Sequence, residues 1–110
     1  MIVRFYITGS GRSPVEEFLQ EMSEEARADF FDAVSLLTAG KVLSMPLSRP
    51  LSNIHAGLHE LRIRDRAGQV RIFYFIKKGE AIYMVHAFRK KTQQLPQREI
   101  EIILKRLKEV

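Results

Sequence analysis

From Leu58 to Lys91 the chain alternates apolar and polar positions with a period near two, and on both flanks apolar residues recur every three or four positions instead. The first pattern predicts three consecutive antiparallel strands. In Leu58–Arg64, Leu61 and Ile63 point one way and Glu60, Arg62 and Arg64 the other. In Gln69–Lys77, Val70, Ile72, Tyr74 and Ile76 alternate with Arg71, Phe73, Phe75 and Lys77. A hairpin closed at Asp65–Gly68 sets Leu61 and Ile63 beside Val70 and Ile72, which gathers Arg62, Arg64 and Arg71 on one face. A slip of one residue would split the apolar set between two faces, so the parity is strongly specified. Lys78-Gly79 reads as a two-residue turn, which pairs Phe75 with Ile82, Tyr74 with Tyr83, Phe73 with Met84 and Arg71 with His86. On that register one face is apolar at one end (Phe73, Phe75, Ile82, Met84) and cationic at the other, where Phe88 also projects.

The flanks predict helices. Met1–Thr8 reads as a first strand that stops at Gly9-Ser10-Gly11. Ser13 is an N-cap with Pro14 at the first helical position and Glu16 completing a capping box, and Val15, Phe18, Leu19 and Met22 form a stripe. Ser23 caps a second helix whose apolar face is Ala26, Phe30, Ala33, Val34 and Leu37, ended by Gly40. Lys41–Gly57 holds too much proline, serine and asparagine for a regular element and reads as a long connection. Pro96 opens a last helix with the stripe Ile100, Ile103, Leu104 and Leu107, expected to cover one sheet surface and leave the cationic face outward. The sum is an α+β domain over 1–110 in the order β-α-α-β-β-β-α, with an antiparallel-rich sheet, an N-terminal helical hairpin and a C-terminal helix.

Charge changes this picture. The formal net charge is +5, and residues 41–110 carry the whole excess. Like charges directly across a strand pair destabilise by about 0.2–1 kcal/mol, and Glu60 and Asp65 are few acids for so many cations. Guanidinium forks fit phosphate oxygens, so the cluster points to a nucleic acid. Beside arginines, His86 would have a lowered pKa and could exchange a proton near neutral pH. Without cysteine there is no disulfide framework or thiolate chemistry. No glycine-rich phosphate loop, nucleophile elbow or metal-ligand spacing occurs, so neither a metal nor a cofactor is expected. No apolar run is long enough to span a bilayer and the N-terminus lacks a signal-peptide pattern, so a cytoplasmic protein is expected.

Gly57-Leu58-His59-Glu60-Leu61-Arg62, Arg71-Ile72-Phe73-Tyr74 and His86-Ala87-Phe88-Arg89-Lys90-Lys91-Thr92, with Pro96 following, carry a resemblance to the RelE/ParE toxin superfamily of type II toxin–antitoxin modules. The chain is most similar to its HigB-like, phage Gp49-like branch. The resemblance implies a RelE-like fold and a ribosome-dependent messenger-RNA endonuclease that uses the substrate's own 2′-hydroxyl, with no metal. It implies a cognate antitoxin, often a small helix-turn-helix protein, through which alone the complex binds operator DNA. By that resemblance Arg62 and Arg71 match basic strand positions used on the scissile phosphate, with Arg64 a neighbouring candidate. Lys90 matches a basic residue after the last strand, with Arg89 and Lys91 as alternatives. The reading of the residues adds His86 as acid/base and Phe88 as an RNA contact. Glu60 stands where another basic residue is expected, and no tyrosine follows the last strand. A ParE-like toxin that inhibits DNA gyrase without cutting RNA is the alternative.

Overall fold

The computed structural model describes Met1–Val110. In chain order its elements are β1 (Val3–Phe5), α1 (Pro14–Leu19), α2 (Glu24–Thr38), β2 (Ser48–Pro50), β3 (Leu58–Asp65), β4 (Gly68–Lys77), β5 (Ala81–Lys90) and α3 (Gln97–Leu107). The strands form one mixed sheet in the order β1-β5-β4-β3-β2, in which β1 runs parallel to β5 and the other neighbours are antiparallel. This is an α+β architecture. The first strand is shorter than the pattern predicts, and the connection expected to lack regular structure contains β2. Pro50 ends that strand at the sheet edge, where its missing N–H leaves no ladder bond unmade. No helix is long and apolar enough to cross a membrane.

Each sheet face has its own core. Leu61, Ile63, Val70, Ile72, Tyr74, Ile82 and Met84 pack against Val15, Leu19, Met22, Ala26, Phe30, Ala33 and Leu37 of the helical hairpin. On the other face Leu58, Phe73 and Val85 pack against Ile103 and Leu107 of α3. Ser23 caps α2 as expected, accepting from the Ala26 N–H at 3.2 Å. At α1 the Ser13 hydroxyl donates to the Glu16 carboxylate at 2.7 Å, so this pair is not the reciprocal backbone capping box that the spacing predicts. Asp65 joins the layers: it accepts from the Ser23 N–H at 3.1 Å and meets Arg89 at 2.6 Å. Those two partners hold its carboxyl well below the usual carboxylate range. Gly57 immediately precedes β3 with φ +83°, and a Cβ there would stand 2.9 Å from the Ile76 carbonyl oxygen. Only glycine fits.

The β3–β4 register agrees with the apolar pattern: Leu61 faces Ile72, Ile63 faces Val70 and Arg62 faces Arg71. The β4–β5 register does not. Lys77 pairs with Ala81, so three residues rather than two separate the strands, and a bulge at Val85 adds a second offset between Phe73 and Tyr74. Near the turn the single offset reverses the facing: Tyr83 joins Phe75 on the α3 side, and Ile82 and Met84 go to the helical-hairpin side. Beyond the bulge two offsets restore parity. His86, Phe88 and Lys90 therefore share a face with Arg71, with His86 two positions from its expected neighbour and Lys90 inside β5 rather than beyond the last strand. Phe88, not His86, stands opposite Arg71. Nor does α3 leave this face outward, because it covers its apolar half.

Candidate functional site

Four strands place charge on the uncovered half of that face. Arg49 of β2 is opposite Glu60 of β3, Arg62 is opposite Arg71, and Lys90 is opposite Gln69. Glu60 is the centre. Its side chain is 0% exposed, with Arg62 Nε at 3.3 Å, Arg71 Nε at 3.7 Å and Arg49 Nη2 at 3.8 Å from one carboxylate oxygen. The other oxygen lies 3.7 Å from Lys90 Nζ. A buried carboxylate is tolerated where cations compensate its lost hydration. Here it also offsets the repulsion of Arg62 and Arg71, the arrangement that the alternation alone makes unfavourable.

Above this floor lies an open cleft of about 830 Å³. Arg62, Arg64, Arg71, Lys90 and Lys91 line it with Gln69, Thr92, Gln93, Pro46, Leu47 and Ile63, and no acidic side chain does. Arg71 donates to the Gln69 side chain at 2.9 Å and to the Val70 carbonyl at 3.2 Å, which aims its guanidinium. Burial lowers the pKa of Lys90; Glu60 works against this, and Arg71, Arg49 and Arg62 add to it. Such an amine releases a proton more readily than an exposed lysine. A second groove of about 500 Å³ shares Gln93 with the cleft and runs past Arg49, Asn53, Gln94 and Leu95.

The remaining residues singled out in the sequence lie elsewhere. His86 is buried under α3, where Nε2 donates to Glu99 at 2.7 Å and Nδ1 accepts from Arg106 at 3.1 Å. Both ring nitrogens are engaged and the ring is neutral. Its pKa is lowered, as expected, but the chief cause is burial, with Arg106 of α3 adding to it rather than the sheet arginines. Phe88 stacks on Phe73 and His86, with ring centroids 5.8 Å apart in both pairs. Arg89 points to the other face, onto Asp65, the Glu21 carbonyl and the Phe18 ring. The cleft therefore unites Arg62, Arg64, Arg71, Lys90 and Lys91 and omits His86, Phe88 and Arg89 from its lining.

The alternation puts Glu60 on the arginine face without marking it as the centre of the cluster, and Arg49 falls in the segment read as a long connection. An acid alternating with arginines was the available signal for Glu60. For Arg49 the signal was weaker, a short β-compatible segment ending in proline.

Residues 17–108 match the model of a family described as phage derived protein Gp49-like. No curated protein matches the sequence.

Proposed function

The chain belongs to the phage-derived, Gp49-like family within the RelE/ParE-like superfamily of toxin–antitoxin toxins, and on that premise we propose that it is a toxin that cuts messenger RNA in the cationic cleft. Membership implies a cognate antitoxin; a small helix-turn-helix protein that also binds operator DNA fits that role. The observation that carries the reading is the convergence of Arg62, Arg71 and Lys90 on one cleft with no acidic lining.

Cleavage by the neighbouring 2′-hydroxyl builds negative charge on the phosphorus oxygens and needs a proton for the departing 5′-oxygen. Arg62 and Arg71 bind the non-bridging oxygens. Lys90, with its lowered proton affinity, protonates the leaving group. Arg64 and Lys91 hold flanking phosphates, and the strand continues along the groove beside Arg49 and Asn53. No histidine or carboxylate lines the cleft to take the 2′-hydroxyl proton. The ribosome dependence that the family resemblance implies would supply that acceptor from the ribosome presenting the message.

Inducing the protein in cells and mapping transcript ends tests this. Growth arrest with discrete breaks in translated messages is the expected result. Intact messages accompanied by double-strand DNA breaks would replace it with gyrase inhibition.

A further inference from the structure

Glu60 sits beneath the cleft and does not line it, yet it approaches more cations than any other acid in the protein. We propose that Glu60 is a positioning residue, a resident carboxylate that holds Lys90 and the guanidiniums of Arg49, Arg62 and Arg71 in place for an incoming phosphate. The inference rests on the phosphate-binding reading of the cleft.

Its contacts differ from those of a closed ion pair. They run from 3.3 to 3.8 Å, longer than the roughly 2.7–2.9 Å of a tight charge-assisted hydrogen bond. Arg71 Nε, Arg49 Nε and the Glu60 oxygen facing Lys90 are buried without a hydrogen-bond partner. One carboxylate thus gathers four cations and saturates none, and their remaining N–H groups stay available to a ligand. A basic residue at position 60 would drive the cluster apart. An exposed acid would occupy the cleft as a competing anion. A buried acid restrains the cations from below and leaves the space above them open.

The charged groups around Lys90 are Glu60 and Arg62 from β3, Arg71 from β4 and Arg49 from β2, with Lys91 next in the chain. Glu60 is the only acid among them, so it is the group that favours the ammonium form. Removing its charge should make Lys90 lose its proton at lower pH, draw RNA more tightly and misplace the cations for the reaction. A misplacement on the order of 1 Å lowers rate by about a hundredfold. Binding and turnover should therefore move in opposite directions.

The test compares wild type, Glu60→Gln and Glu60→Asp. Lys90 is titrated by carbon-13 NMR of its side chain, with Lys90→Arg giving the assignment. Binding is read by fluorescence anisotropy on a 2′-O-methylated, uncleavable RNA oligonucleotide, and turnover on translated message in a reconstituted system. Glu60→Gln is expected to titrate Lys90 at lower pH, bind the oligonucleotide several-fold more tightly and lower kcat by about a hundredfold. Glu60→Asp, which keeps the charge, is expected to recover the titration and part of kcat. A folded Glu60→Gln with unchanged Lys90 titration and unchanged oligonucleotide affinity overturns the inference. Should Glu60→Gln not fold, an Asp variant with the kcat of wild type overturns it instead, since the carboxylate has withdrawn by one methylene. A protein that binds the oligonucleotide and shows these shifts but cuts no message overturns the nuclease reading and upholds the role of Glu60.

Discussion

Under α3, His86 engages Glu99 at 2.7 Å and Arg106 at 3.1 Å, and Arg106 also donates to the Val85 carbonyl at 2.9 Å. At the other end of the same face Glu60 gathers four cations with no contact under 3.3 Å, and three of the atoms involved or adjoining have no hydrogen-bond partner. Both clusters are buried and both join a strand to other elements. The first is closed, its ring nitrogens both used, and such a network serves to fix one arrangement of a core. The second is open, and buried polar groups left unpaired lower stability unless something else binds them. The difference separates a joint from a receptor on one continuous sheet surface.

The sharpest way to break this comparison is Arg71→Ala, which should lower message cleavage by about 10²–10³-fold, or about 3–4 kcal/mol of transition-state stabilisation. Cleavage rates in a reconstituted translation system check it, and a fully active variant would remove Arg71 from the reaction. Glu99→Ala probes the closed cluster: it strands the His86 N–H and should destabilise the fold by about 1–3 kcal/mol in denaturant titration, with cleavage at native temperature unchanged. Next comes pH. The folded-state pKa of His86 lies below its unfolded value, so the unfolded chain takes up the proton first. The contribution is fully present above about pH 6.5 and is lost as pH falls below it. Denaturant titrations across that range should show the loss in wild type and a smaller one in His86→Gln. The smallest effect is electrostatic: Lys91→Ala should reduce the slope of log affinity against log salt for single-stranded RNA by about 0.7, the share of one phosphate contact.

The apolar alternation of Leu61 and Ile63 against Val70 and Ile72 was enough to bring Arg62 and Arg71 together, because only one parity buries all four apolar side chains. The helical hairpin was legible for a similar reason. Its stripes, its Ser23 cap and its stop at Gly40 all agree. The β4–β5 register was not legible, since Lys78-Gly79 suits a turn whether or not Glu80 is counted into the strand, and nothing local to Val85 marks a bulge. Both offsets escaped detection, yet together they left the cationic parity intact. That is why Phe88 was placed on the correct face and His86 beside the wrong residue. Glu60 was legible as an exception but not as a centre, because its burial depends on β2 and β5 closing around it from distant parts of the chain.

The bulge at Val85 has a consequence for how the gene tolerates lost codons. Deleting almost any residue of β5 would invert the facing of every side chain on one side of the cut. Val85 and His86 both turn toward α3, so removing Val85 alone leaves Tyr74 opposite Met84 and Phe73 opposite His86, as they are now. Such a deletion empties part of the core and takes away the carbonyl that holds Arg106. It nevertheless preserves every other pairing. A one-codon deletion scan should therefore find a narrow tolerated window at these two positions inside an otherwise intolerant strand.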